Sequence, residues 1–257
     1  MDLAGKTVVL TGATSGIGLA TARLLADRVG LLIVQGPEKA AEVRDRLPAG
    51  VVYLRADYSE LAAVARLAGD MRAEAGAVDL LINNAARPGP PARTLTGDGH
   101  EITFQTNYLA PVLLTALLGE PPRVVNVASA THLSATLHLD DVDLARHRYA
   151  PDVAYAHSKL ALVTETCRLA ATLTPPAAAV SMHPGIISTA LLHAMFSIGG
   201  DSPARAAENL RYVATRDGDN GTYYDEREPA DPNPQATDPR TQQRLYELTR
   251  AALSGLL

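Results

Sequence analysis

Thr7-Val8-Val9-Leu10-Thr11-Gly12-Ala13-Thr14-Ser15-Gly16-Ile17-Gly18 passes from a β-branched run, through three glycines, into a helical pattern. The reading is a strand over 6–11 and a helix over Ile17 to Arg28. Glycines let a backbone turn tightly and approach a bound pyrophosphate, whose charge the amides and positive dipole end of the helix then meet. The spacing is GxxxGxG, and a glycine turn after a strand is often only a turn, so the rest of the chain must decide its meaning.

Outward from that turn, short apolar runs alternate with longer segments of helical period. Strands are expected near 31–35, 51–55, 78–82, 123–128 and 178–183. Helices are expected over Glu38 to Arg46, Leu61 to Ala75, His100 to Leu118 and Tyr155 to Thr172, with a last one around Gln242 to Leu253. Such alternation gives an α/β fold, a doubly wound parallel sheet with helices on both faces. The 257 residues, 47% of them hydrophobic, suit a single domain, 1–257. The formal net charge of -5 is spread along the chain, which argues against a nucleic-acid or anionic-membrane partner. Apolar runs fall well short of the ~20 residues of a membrane span. The amino terminus enters a strand at once, without a signal-peptide pattern, so a cytoplasmic location is expected. Cys167 is the lone cysteine, excludes an internal disulfide and reads as a packing residue.

In open α/β sheets, ligands bind beyond the carboxyl ends of the strands. Asp57 with Tyr58 follows the third strand there, and Asn83-Asn84-Ala85 follows the fourth. Three irregular segments also begin at strand ends and are expected to shape a substrate pocket: 87–99, 131–152 and 186–203. The stretch from Asp225 to Pro239, dense in Pro, Asp and Glu, reads as surface chain.

The sharpest chemical signal is Tyr155-Ala156-His157-Ser158-Lys159. Tyr and Lys four apart on a helix share a face. A phenol is too weak an acid to be a base at neutral pH, but a nearby ammonium favours the phenolate, and the pair becomes a usable acid/base. A surface helix pair is the bland alternative.

With the glycine turn, Asn83-Asn84-Ala85, Ser129 beyond the fifth strand and Tyr155 with Lys159, the sequence resembles the short-chain dehydrogenase/reductase family over nearly its whole length. Segments Arg123 to Ser129, Tyr155 to Leu162, His183 to Thr189 and Gly221 to Pro239 look like its retinol-dehydrogenase-like branch. The resemblance implies one Rossmann-type NAD(P)-binding domain and hydride transfer between the cofactor and a small-molecule carbonyl or secondary alcohol. It also implies catalytic Asn107, Ser129, Tyr155 and Lys159. Tyr155 would exchange the substrate proton and Ser129 bond the substrate oxygen. Lys159 would hold the nicotinamide ribose and favour the tyrosinate, and Asn107 would position a water linking Lys159 to solvent. Cofactor contacts fall by the same resemblance on Gly12, Thr14, Ser15, Gly16, Ile17, Gly18, Asp57, Tyr58, Asn83, Ala85, Tyr155, Lys159, Pro184, Gly185 and Thr189.

Ala86 stands where the family usually has glycine, and Ala128 where it often has serine. Gln35-Gly36-Pro37, at the end of the second strand, offers neither an acid for a ribose 2′-OH nor an arginine for a 2′-phosphate. Lys39 lies close behind, and the balance leans to NADP over NAD. His132, His157 and His183 lack metal-ligand spacing, and no metal is expected. The helices from His100 and Tyr155 could form a homo-oligomer contact or face the chain's own sheet. A non-catalytic dinucleotide sensor would use the same fold without needing a base at Tyr155, and a nucleotide-sugar epimerase would need more chain after Gly185.

Overall fold

The computed structural model describes every residue except Glu120 and Ser197. Six strands fall within two residues of their expected positions: β1 (Thr7–Leu10), β2 (Leu31–Gly36), β3 (Val52–Arg55), β4 (Leu80–Asn83), β5 (Arg123–Val127) and β6 (Ala178–His183). Two more extend the sheet. β7 (Tyr223–Asp225) runs parallel to β6, and β8 (Glu228–Ala230) turns back antiparallel on β7. The order is β3-β2-β1-β4-β5-β6-β7-β8, so winding reverses between β1 and β4, and a crevice opens beyond their carboxyl ends. The register Leu10↔Ile82 brings the glycine turn beside Asn84 and Ala85.

Val8, Val9 and Leu10 are all fully buried because both faces of the sheet are covered. Val9, Ile33 and Leu81 pack with α3 (Leu61–Ala75), α5 (Ala110–Leu117) and α6 (Pro151–Thr172). Val8, Leu10, Val34 and Ile82 face the other way, toward α1 (Gly16–Leu25) and α8 (Pro203–Ala214). Each such side chain contributes about 1.5–3 kcal/mol of transfer free energy. Among the described residues no helix is long and apolar enough to cross a membrane. Cys167 packs at the edge of the first of these cores, and burial pushes its thiol up to about 11, as suits a packing residue.

Several helix boundaries differ from expectation. α1 ends at Leu25 rather than Arg28. The segment from Glu38 to Arg46 keeps only one regular turn, α2 (Ala40–Val43), which leaves Glu38 ahead of the helix and Lys39 at its N-cap. The span from His100 to Leu118 is broken into α4 (Ile102–Phe104), a π-helical turn (Gln105–Leu109) and α5. α6 starts at Pro151, whose missing N–H costs nothing in a first turn, so Tyr155 and Lys159 lie in its second and third turns. α7 (Ala190–Met195) interrupts the third irregular segment. α8 starts on Ser202, whose hydroxyl accepts from the Arg205 N–H at 3.3 Å, followed by Pro203. The stretch expected to run along the surface holds β8 and α9 (Pro234–Thr237), with Asn233 and Ala236 buried. α10 (Pro239–Ala252) is capped by the Asp238 carboxylate, which accepts from the Thr241 N–H at 2.9 Å. It lies over α6, with the Arg168 guanidinium 4.4 Å from the Tyr246 ring centroid and the Tyr108 and Thr249 hydroxyls 2.6 Å apart.

Candidate active site

Beyond the ends of β1 and β4 lies a cavity of about 500 Å³, in the range of small-molecule sites. Steric need explains its glycines. Gly12 has φ +64°, and a Cβ there would sit 2.6 Å from the Ala85 Cα; a Cβ on Gly18 would sit 2.0 Å from the Gly12 carbonyl oxygen. Two side chains hold the turn in place. Gln35 accepts from the Gly12 N–H at 3.0 Å and donates to the Ala56 carbonyl at 2.8 Å, and Asn84 donates to the carbonyls of Thr11 (2.9 Å) and Gly12 (3.1 Å). Ser15 leaves the start of α1 without a side-chain cap, so its first amides face the cavity free to meet an anion. Cradle, uncapped helix and strand ends fit a dinucleotide.

Of the residues expected to contact a cofactor, Gly12, Thr14, Ser15, Gly16, Ile17, Gly18, Asp57, Tyr58, Ala85, Tyr155, Lys159, Pro184 and Thr189 line the cavity. Asn83 and Gly185 do not. Asn83 points into the interior, donating to Asn126 at 2.8 Å and to Thr115 at 3.1 Å, because it ends β4 opposite Asn126 of β5. Gly185 has φ +104° and turns the chain between Pro184 and the segment carrying Thr189. Ala86 has no positive φ and lines the cavity, so its methyl replaces the family's glycine without strain.

Tyr155 and Lys159 open onto the same cavity from successive turns of α6. Burial pushes the Tyr155 phenol up to about 12, with the Ser129 hydroxyl working in the opposite direction. Burial also brings the Lys159 ammonium down to about 7. Lys159 Nζ donates to the Val127 carbonyl at 2.7 Å and stands 5.7 Å from the Tyr155 ring centroid. Desolvation is therefore the leading influence on both groups, rather than the lysine-to-phenol attraction expected from their spacing. Ser129 caps a short 3-10 turn (Ala130–Ser134) and accepts from the Thr131 hydroxyl at 3.1 Å. Asn107 sits in the π-helical turn. Its side chain accepts from the Arg87 N–H (2.9 Å) and donates to the Arg87 carbonyl (3.1 Å) and the Ser158 hydroxyl (3.0 Å), tying the chain after β4 to α6. π turns of this kind recur at functional sites.

The sequence fits the short chain dehydrogenase family pattern over residues 6–140. This chain belongs to that family. It is 33% identical to retinol dehydrogenase 13 of Mus musculus across 98% of this chain and 84% of the relative, which places it on the retinol-dehydrogenase-like branch. A crystal structure of an uncharacterized protein from Mycobacterium paratuberculosis superposes with a TM-score of 0.83, at 30% identity, covering 98% of this chain and 95% of that one. A short-chain dehydrogenase from Burkholderia cenocepacia, crystallised with NADP, gives a TM-score of 0.68 at 25% identity, covering 88% and 97%. The family member described here is thus an NAD(P)-dependent oxidoreductase of the Rossmann type.

Several wall residues escape a reading by motif. Glu38 is the foremost: its Oε1 accepts from the Thr14 hydroxyl at 3.0 Å, and its Oε2 is buried with no partner. A Cβ on Gly36 would sit 2.4 Å from Thr14 Cγ2 and 2.9 Å from that oxygen, so the small residue makes room for the Thr14–Glu38 pair. Lys39 is exposed and off the wall. Arg87 also faces the cavity, with Nε buried and unpartnered. Behind Ser129, Asn233 donates to the carbonyls of His132 (3.1 Å), Leu133 (3.2 Å) and Ala135 (3.0 Å), pinning the 3-10 turn. His132 Nδ1 donates to the Ser129 carbonyl at 2.6 Å while Nε2 accepts from the Asn233 N–H, which fixes one neutral tautomer. His157 accepts from the His138 N–H at 3.2 Å, and burial brings its pKa down to about 4. Burial lowers His183 as well.

Proposed function

We propose that this oxidoreductase interconverts a ketone and a secondary alcohol on an apolar small molecule, prefers NAD(H), and uses Tyr155 as the group that exchanges the substrate proton. One observation carries the reading: Tyr155 and Lys159 open onto the cavity that also contains the glycine cradle, with Ser129 beside the phenol. A protonated phenol at neutral pH is the form needed to donate to a carbonyl oxygen, and the Ser129 hydroxyl gives that oxygen a second hydrogen bond. Lys159, anchored on Val127, presents its amine to the ribose side of the cavity. Asn107 acts by bracing Arg87 and Ser158 rather than by touching the reacting atoms. NAD(H), seated on Gly12 to Gly18 and Ala85, would supply the two-electron chemistry.

The preference for NAD(H) rests on Glu38, whose unpartnered carboxylate oxygen suits a ribose 2′-OH and repels a 2′-phosphate. The apolar substrate is suggested by Leu133, Val153, Ile186 and Ile198, large side chains left exposed on or beside the segments 131–152 and 186–203 that follow β5 and β6. With 87–99, these segments form the substrate side of the pocket in this reading. Retinol dehydrogenase 13, as its name states, acts on a lipophilic alcohol, in keeping with that class.

The test is Tyr155→Phe, followed as hydride transfer at the nicotinamide absorbance across apolar ketones and alcohols beside cofactor titration. Turnover should fall by about 10²- to 10⁴-fold with cofactor affinity nearly unchanged. Near-parental turnover would reject Tyr155 as the acid/base. Tight cofactor binding without turnover of any substrate would favour a dinucleotide sensor.

A further inference from the structure

Within the segment between β5 and α6, but off the cavity wall, three side chains with no part in the proposed proton and hydride chemistry come together. His138, Asp140 and His147 each offer one ligand atom, and these atoms all lie within 4.8 Å of one another. We propose that they form a binding site for a divalent transition metal of the zinc class.

Two imidazoles and a carboxylate are a donor set that zinc accepts, with a fourth position left for water. The His147 ring is held in place, and His138 is held at its backbone. His147 Nδ1 lies 2.8 Å from Asp141 Oδ2, and donation there leaves Nε2 as the free lone pair. Asp141 is itself buried and accepts backbone N–H bonds from Ala145 (2.8 Å), Arg146 (2.8 Å) and His147 (3.0 Å). A carboxylate that orients a histidine through its other nitrogen is the usual outer partner of a metal ligand. His138 is anchored through its backbone N–H to His157 Nε2 on α6, and neither of its ring nitrogens has a hydrogen-bond partner among the described residues. The His138 and His147 rings lie side by side, with centroids 3.8 Å apart and planes at 27°.

Two adjustments are needed, and both are small. With metal–nitrogen bonds of about 2.05 Å, tetrahedral ligand atoms stand about 3.3 Å apart, so the ligand atoms must close in and the unanchored His138 ring must swing out of the stack. Asp140 must also release Arg146, whose Nη2 stands 3.0 Å from its Oδ2. Both partners are about two-thirds exposed, and exposed pairs of this kind hold weakly.

Arg146 therefore makes the inference falsifiable in both directions. Zn²⁺ is titrated calorimetrically into this chain at neutral pH, with Co²⁺ absorbance reporting tetrahedral coordination and thermal melts confirming that each variant is folded. One equivalent should bind. His138→Ala, His147→Ala and Asp140→Asn should each weaken binding, and Asp141→Asn should do so by roughly 10- to 100-fold. Arg146→Ala should tighten it by removing the competing cation. His193→Ala, an exposed histidine that contacts Ser188, should leave binding unchanged. Absence of stoichiometric binding, equal binding in the folded His138→Ala and His147→Ala variants, or no gain in Arg146→Ala would overturn the site.

Discussion

Replacing Glu38 by Gln keeps the shape of the side chain and its contact with the Thr14 hydroxyl but removes one negative charge from the cavity wall. Two unit charges about 6 Å apart interact by about 3 kcal/mol at an effective dielectric of about 20, and a 2′-phosphate carries about 1.5 to 2 charges. Glu38 is only partly buried, so solvent and salt, with a Debye length of about 8 Å, reduce the repulsion to about 2–3 kcal/mol. That corresponds to a roughly 30- to 140-fold penalty against NADP(H) in the parent. On the NAD(H) side, a hydrogen bond to a charged acceptor becomes one to a neutral acceptor, a loss of about 1 kcal/mol.

Glu38→Gln should therefore tighten NADPH binding by one to two orders of magnitude while weakening NADH binding only several-fold. The assay is fluorescence titration of both reduced cofactors, with parent and variant, at low and high salt. Raising the salt should ease NADPH binding in the parent and have little such effect in the variant. Lys39→Ala is the counterpart, because Lys39 lies off the cavity wall and its loss should leave the ratio unchanged. A parent that binds NADPH as tightly as NADH, or a ratio insensitive to Glu38→Gln, would refute the assignment. If only Lys39→Ala shifted the ratio, selection would fall to the flanking lysine instead.

Gly18→Ala should abolish measurable cofactor binding in a folded protein, since its Cβ would meet the Gly12 carbonyl at 2.0 Å and neither backbone can give way cheaply; parental affinity in calorimetric titration would contradict this. With Tyr155 as the proposed base, alcohol oxidation would draw on its phenolate, and burial pushes the phenol up to about 12, so kcat/KM for oxidation should rise about tenfold per pH unit from neutral upward while ketone reduction stays level. A level oxidation profile would remove Tyr155 from the role of base. Asp219→Asn should cost about 3–5 kcal/mol by stranding the buried Arg123 guanidinium, which donates to Asp219 Oδ2 at 2.8 Å. At about 2–4 °C per kcal/mol, the melting point should fall by roughly 6–20 °C, and a smaller shift by calorimetry would mean that Arg123 finds another partner. Burial pushes Asp219 up, but the hydrogen bond and charge of Arg123, with the Tyr224 hydroxyl, together outweigh it and hold the carboxyl below its ordinary value. Its contribution is complete above the unfolded value of about 3.9 and is lost as pH falls through the lower folded one.

What could be read in advance depended on whether the deciding interaction was local. Six strands were legible because each is a short apolar run bounded by turn residues, and Tyr155 with Lys159 was legible because helical spacing alone puts four-apart residues on one face. Gln35 opens the Gln35-Gly36-Pro37 segment at the end of the second strand where a cofactor-selecting group is expected, yet its side chain turns inward to hold Gly12 and Ala56. The acid on the cavity wall is instead Glu38, which precedes α2 and has room beside Gly36, and the proposed cofactor preference rests on it. Asn83 and Asn84 are neighbours of one type and diverge because they end a strand: the first faces the packed interior and the second the glycine turn. β7 and β8, of three residues each, are too short to show a period, and Asn233 gains its place behind Ser129 from contacts about a hundred residues away. The same distinction separates His138 and His147 from a linear ligand motif. They stand nine positions apart, and the turn around Asp141 lays one ring on the other, so the proposed site belongs to the folded segment rather than to any spacing in the chain.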